Sequence, residues 1–263
     1  DGTKIDVELE IEGDRGVLRI KADAHPGNLN APPAVARAAL LYVLRSLVDE
    51  PMPLLNEGSM TPMSIEINAG GLFDPTEPSA VAGGNVESSQ RLVDALLRAL
   101  GVQAASQGTM NNLTIGTRVG AWYETIGGGS GAGPSYRGTD CVQVHMTNTQ
   151  ATDVEELEVR FPIRLDSWKC RMGSGGEGLW RGGDGVEKCW TFLDHAEVSL
   201  LAERRAAGAP GADGGRPGLP GTDEIDIGAG WEPMPARWTA KAGDRLRIRT
   251  PGGGGFGSVS EKT

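Results

Sequence analysis

The chain has 263 residues, with 35 acidic against 25 basic side chains and a formal net charge of −10, which argues against a nucleic-acid partner because phosphate affinity comes from Lys and Arg. Glycine and proline number 40 and 16 in no fixed period, which excludes collagen, while an apolar fraction of 38% is too high for a disordered chain. No apolar run reaches the ~18 residues of a membrane span, and three widely spaced cysteines without a CxxC pair speak against a disulfide framework and for a reducing, cytoplasmic setting.

Asp1-Gly2-Thr3-Lys4 leads straight into an alternating segment without a leader pattern, and reads as a domain entered partway along a longer gene product. Ile5, Val7, Leu9 and Ile11 alternate with charged residues up to Glu12. Residues 13–16 turn the chain, and Leu18, Ile20 and Ala22 alternate with Arg19 and Lys21, which predicts a half-buried β-hairpin. Asn30-Ala31-Pro32-Pro33 predicts a helix start with Asn30 as cap. In 34–48 only Arg37, Arg45 and Ser46 are polar before the helix runs out, so it is expected to be buried on most sides, within the domain or against a partner.

Residues 64–68 predict a short strand. An amphipathic helix is expected over 86–100, with Leu92, Val93, Leu96, Leu97 and Leu100 on its stripe and Gly101 as its stop. Strands are predicted at 140–146, 157–165, 186–192, 198–202 and 245–250, and Pro162 favours a sheet edge for the second. The fold class is α+β: an N-terminal hairpin and two main helices, then a β-rich half with long glycine loops. Residues 1–118 and 119–263 are read as two regions of one domain. Segment 208–221 carries nine Gly or Pro in fourteen positions, but Gly215 breaks the triplet register, so it reads as a loop.

Gly127 to Gly133 follow a plausible strand, 122–126, and fit a dinucleotide-loop spacing. The helix that such a loop needs does not begin at 134–137, so a tight backbone crossing, or a loop closing over a shared active site, is expected instead. No phosphate-loop motif for ATP occurs, and Ser106, Ser130 and Ser174 lack a nucleophile frame. His25, His145 and His195 form no zinc-ligand array, so no metal is assigned to this chain alone. His145, entering a loop, reads as a proton-handling group or as a satisfied structural histidine. Glu124 reads equally as an acid–base group and as an acceptor for backbone N–H groups. Asn56-Glu57 and Asn111-Asn112 can hold an amide substrate or make Asx turns.

Nine segments taken in order resemble the hydantoinase B/5-oxoprolinase family, in the C-terminal half of its large β subunit. They are 28–32, Asn56-Glu57-Gly58, 82–89, 105–112, 123–129, 145–149, 173–176, 181–183 and 250–257. The resemblance implies an ATP-dependent opening of cyclic amides such as 5-oxoproline or hydantoins, in which ATP activates a carbonyl oxygen as a phosphate ester. It places ATP and Mg2+ on a partner, a hydantoinase A-like subunit with a kinase fold. It also places a divalent metal on an N-terminal hydantoinase B half or a partner chain, with none on this chain. By the same resemblance Glu124 and His145 would handle protons. Asn56, Glu57, Asn111, Asn112 and the glycines 127–129 would orient a small-molecule substrate or shape its pocket.

Two departures, Ala22 to Gly27 in place of an Asp-Phe-Ser-Gly-like stretch and Ser59 in place of a cysteine, point away from 5-oxoproline itself. The alternatives are a component of an acetone- or acetophenone-carboxylase-type enzyme and a non-catalytic scaffold of such a complex.

Overall fold

The computed structural model describes residues 2–49 and 57–259. The chain divides into two compact units, Asp1–Gln103 and Ala104–Thr263. Elements of both helix and sheet are present, and among the described residues no helix is long and apolar enough to cross a membrane.

In the first unit β1 (Asp6–Glu12) and β2 (Arg15–Lys21) form the expected hairpin. Strand β3 (Met63–Ile67) adds to β2 in parallel, so α1 (Pro33–Leu47) lies in the crossover between them. A π-helical turn, Gly84–Ser88, runs directly into α2 (Ser89–Ala99). Leu18 and Ile20 of β2, Val35, Ala39, Leu40 and Val43 of α1, and Leu92, Val93 and Leu96 of α2 are buried. Each buried Leu or Val contributes about 1.5–3 kcal/mol.

Two details of this unit differ from the sequence reading. Helix α1 buries one stripe only, and Leu47 is 46% exposed. Asn30 is not its cap: Pro32 occupies that position without a side-chain bond. Instead the buried Asn30 amide donates to the carbonyls of His25, Gly27 and Ala80, and its Oδ1 accepts the His25 N–H, so it clamps the loop before the helix.

The second unit holds two antiparallel sheets. One contains β4 (Asn112–Thr117), β5 (Gly120–Thr125), β8 (Ala196–Leu201) and β11 (Arg237–Ala240), in the order β11-β8-β4-β5. The other contains β6 (Ile163–Arg171), β7 (Gly185–Phe192), β9 (Thr222–Asp226), β10 (Trp231–Pro233) and β12 (Arg245–Arg249), in the order β10-β9-β12-β7-β6. Their inner faces share one apolar core that includes Leu113, Ile115, Trp122, Trp190, Phe192 and Leu246. Trp122 and Trp190 meet edge to face with ring centroids 6.3 Å apart. Residues 118 and 119, where the sequence reading divides the chain, are the turn between β4 and β5.

Two predicted strands are replaced. Residues 140–146 make only an isolated bridge, Gly128 to Val142, because Cys141 and His145 both adopt positive φ (54° and 51°), which no ladder accommodates. In 157–165, helix α3 (Val154–Arg160) takes the first part. Asp153 caps it by accepting the Glu155 and Glu156 N–H groups, and those two acids face the helix N-terminus. Val159 is therefore 87% exposed, and β6 starts only after Pro162. The edge position does hold, since β6 ends its sheet.

The glycine loops are the third structural component. Along 252–255 the successive N–H groups donate to Leu219, Gly183, Ala105 and Arg216, at 3.2, 2.9, 2.8 and 2.9 Å. The first and fourth reach the same neighbouring segment, so the donors rotate with a period of three. That is the polyproline II geometry, in which bonds run sideways to neighbours and none is internal. Side chains have no room in such a lattice: a Cβ on Gly129 would lie 1.9 Å from the Gly183 carbonyl oxygen, and one on Gly253 would lie 1.9 Å from that of Ser130. The expected tight backbone crossing at 127–133 is thus a junction of several extended segments, and 208–221 is one of them.

Candidate functional site

A pocket of about 270 Å3 opens in the second unit where the end of β5 meets β6 and β7. Thr125, Gln143, Thr149, Gln150, Trp168 and Lys188 are among the residues that line it. The size is near the lower bound of small-molecule sites, about 300 Å3.

Lys188 is the charged group of this pocket. It sits in the middle of β7 between buried Val186 and Trp190, and is itself buried. Its ammonium lies 3.9 Å from the Trp168 ring centroid and ion-pairs with Glu124 Oε1. Glu124 Oε2 accepts the Thr152 N–H at 3.0 Å. Of the two functions weighed for Glu124 the geometry shows the acceptor of a backbone N–H, and its other oxygen pairs with a buried cation at the pocket.

Gln143 supplies the polar handle. Its Nε2 donates to the Thr125 carbonyl and hydroxyl at 3.1 and 3.0 Å, which fixes the amide and leaves Oε1 buried without a hydrogen-bond partner. A buried orphan acceptor costs about 1–3 kcal/mol until a donor meets it. The Thr125 and Thr149 hydroxyls bond to each other beside it.

The remaining predicted residues are placed as follows. Gly127 lines the pocket and its carbonyl accepts the Thr250 hydroxyl, whereas Gly128 and Gly129 are packed against Gln107, Pro251, Gly183 and Gly253 in the glycine lattice. Asn111, fully buried at φ 48°, spends both amide hydrogens on Gln107 Oε1 and the Ile126 carbonyl. Its Oδ1 accepts from Arg205, which also holds Asp223 through two bonds of 2.8 and 2.9 Å. Asn112 bridges the Leu201 carbonyl and the Tyr123 hydroxyl. His145 is half-buried in the turn 144–147 and does not line the pocket. Asn56 and the side chain of Glu57 lie outside the described residues. Glu57 opens a 3-10 turn, Glu57–Met60, in the first unit.

Lys188, Gln143 and Trp168 escaped the sequence reading. Lys188 carried a signal, a lysine between Val186 and Trp190 on one face of its strand. Gln143 carried none, because its strand prediction put it in a regular ladder.

The family model for hydantoinase B/oxoprolinase matches residues 1–259. The chain belongs to the hydantoinase B/oxoprolinase family. It is 45% identical over 268 residues to 5-oxoprolinase 1 of Arabidopsis thaliana, covering 98% of this chain and 21% of that protein. The hydantoinase B fold is also seen in a crystal structure of the ATP-dependent caprolactamase of Pseudomonas jessenii, with a TM-score of 0.84 and 24% identity over 97% of this chain and 48% of that one. An acetone carboxylase in its nucleotide-free form matches with a TM-score of 0.78 and 17% identity, covering 97% of this chain and 41% of that one. At these identities the two structures show the fold alone. The chain spans about a fifth of the length of the Arabidopsis relative.

The resemblance places its divalent metal outside this chain. Among the described residues of this hydantoinase B chain, the candidate cluster of His, Cys, Asp and Glu contains no histidine.

Proposed function

We propose that this chain is the C-terminal part of the β component of an ATP-dependent cyclic-amide hydrolase, and that its own contribution is the pocket over Glu124 and Lys188. The observation that carries the reading is the pairing of opposite needs in one small pocket: an orphan acceptor, Gln143 Oε1, and a buried cation, Lys188. A cyclic amide offers an N–H and a carbonyl oxygen on adjacent atoms, the complement of that pair. Family membership and the 5-oxoprolinase relative support the same substrate class.

In this account a hydantoinase A-like partner binds ATP and Mg2+ and transfers the γ-phosphoryl group to the carbonyl oxygen. Phosphorylation removes the amide resonance that protects the carbonyl carbon. Water then adds to that carbon, the C–N bond breaks with the proton going to nitrogen, and the resulting acyl phosphate is hydrolysed to carboxylate and inorganic phosphate. Lys188 stabilises the negative oxygen, and Glu124, in contact with its ammonium, acts through it as proton acceptor. His145, which stands outside this pocket at φ 51°, is assigned the second proton-handling role in the assembled complex through the family resemblance alone. Asn111 and Asn112 hold the start of β4 against β5, whose end lines the pocket. A divalent metal belongs to the N-terminal hydantoinase B half or a partner chain. The setting is cytoplasmic.

The test is an assay of the assembled complex in bicarbonate-free buffer against cyclic amides. Equal amounts of ADP and ring-opened amino acid are expected. The fold shared with acetone carboxylase gives the second reading, a carboxylase component, and ATP turnover that requires bicarbonate and a ketone would select it.

A further inference from the structure

The glycine lattice brings a second group of reactive side chains together, of which Cys141 alone also borders the pocket. Asp140 and Cys141 follow the crossing at 127–138, Cys170 stands near the end of β6, and Asp184 immediately precedes β7. One carboxylate oxygen each of Asp140 and Asp184 and the Cys170 sulfur all lie within 4.8 Å of one another. The Cys141 thiol donates to the Gly185 carbonyl at 3.3 Å, the Cys170 thiol stands near enough to push Cys141 up, and the Cys141 N–H bonds the Asp184 carbonyl at 2.8 Å. Three ligand atoms, of Asp140, Cys170 and Asp184, therefore converge from three backbone segments that are tied together, and Cys141 adjoins them beside Cys170.

Asp184 is the informative member. It is fully buried, and its Oδ1 is spent on the Gly175 N–H at 2.7 Å and on Arg181. Its Oδ2 is buried with no hydrogen-bond partner. A carboxylate oxygen left bare in the interior is costly unless a cation takes it. Asp140 is tied in place by the Asp184 N–H at 2.7 Å and by Arg137 at 3.2 Å, each of which leaves lone pairs on the oxygen it uses. Cys141 is exposed, which gives an ion a route from solvent.

We propose that Asp140, Cys141, Cys170 and Asp184 form a binding site for a zinc-type divalent cation. Two sulfurs and two carboxylate oxygens suit a tetrahedral, borderline-soft ion and not Mg2+ or Ca2+, which take oxygen shells. Binding replaces two thiol protons, released to solvent, with one divalent charge, so charge balances beside Arg137 and Arg181 without a redox partner. Histidine spacing gives no hint of the site, because its members are paired through the lattice and not through a short motif. It lies wholly in the second unit and does not depend on the catalytic reading above.

The test uses Co2+ as a spectroscopic probe and Zn2+ as competitor on the full chain, purified with a reductant and stripped of metal. One Co2+ per chain is expected, with thiolate-to-cobalt charge-transfer absorption that Zn2+ abolishes. Cys170→Ser and Asp184→Asn should each weaken binding at least about 100-fold, since even outer-shell changes cost 10- to 100-fold. Absence of the charge-transfer band, or an affinity unchanged from the parent in both variants, overturns the site. Should either variant fail to fold, titration calorimetry of the unmodified chain in buffers of different ionisation enthalpy decides: about two protons released per zinc support the dithiolate site, and none overturns it.

Discussion

Glu124 on β5 and Lys188 on β7 join strands of two different sheets through an ion pair whose side chains are 2% and 4% exposed. The carboxylate is held on its other oxygen by the Thr152 N–H, and the ammonium stands over Trp168. Desolvating two charges gains little net stability, but removing one of them strands the other. Lys188→Met should therefore cost about 3–5 kcal/mol, whereas the double variant Glu124→Gln/Lys188→Met should recover most of the loss. Denaturant midpoints at constant slope measure both. A double variant no more stable than the single would mean that the pair is not the source of the cost.

The lattice makes a sharper prediction about glycines. Gly253→Ala places a methyl group against the Ser130 carbonyl and the Gly131 amide, backbone that cannot swing away, and should prevent folding of the second unit. Gly228→Ala, at φ 99° with open space around it, should cost only about 1 kcal/mol. Soluble expression and circular dichroism separate the two cases.

Gln143 is predicted to read the substrate N–H. Gln143→Met removes the acceptor at similar volume and should raise KM for a cyclic amide about tenfold, the worth of one hydrogen bond, with little change in kcat. An N-methylated ring, which has no N–H to offer, should show no such difference between the two proteins. Equal losses on both rings would remove Gln143 from substrate recognition.

Acid should unfold the second unit in part through Asp184. Burial pushes this carboxyl up, but Arg181 and the Gly175 amide more than offset it and hold it below its ordinary 3.8. A depressed carboxylate stabilises the fold at pH above its unfolded value, and that stability is lost as the pH falls through the folded value. Glu187, held down by Arg249 and Lys169 against the effect of burial, adds to the same slope. Stability of Asp184→Asn measured from about pH 5 to pH 2 should fall less steeply than that of the parent.

Cys141 is exposed yet predicted to be unreactive in the metal-free protein. Burial of its sulfur, the Cys170 thiol and the neighbouring Asp140 and Asp184 push it up to about 12. Alkylation at pH 8 should be at least about 100-fold slower than for a free thiol and should climb steeply above pH 10, because the thiolate is the reactive form. Mass-spectrometric time courses resolve it from Cys170 and Cys189.

Much of the fold was legible wherever one face of an element is buried. The β1–β2 hairpin, the α2 stripe, β7 and β12 all show their periods in the sequence, since alternation or helical spacing records which side meets the core. The errors have equally specific causes. In 154–165 the alternation of Leu157, Val159, Phe161 and Ile163 outweighed a readable cap, Asp153 followed by two glutamates. Short β9, β10 and β11 bury too few side chains to leave a pattern. The lattice of 127–133, 174–183, 208–221 and 252–257 is built from backbone bonds between segments distant in sequence, and hydrophobic pattern is silent about those. For the same reason Glu124 could be singled out, but its pairing with Lys188, 64 residues away, could not.

The most direct test of the account is turnover of the assembled, ATP-dependent complex carrying Glu124→Gln, with its subunit composition followed by native mass spectrometry. The account predicts ring opening at least tenfold slower, at the modest end of what a proton-handling group contributes (about 100-fold and more), in complexes of unchanged composition. Unchanged turnover, or slow turnover explained entirely by lost subunits, would contradict it and leave this chain a scaffold.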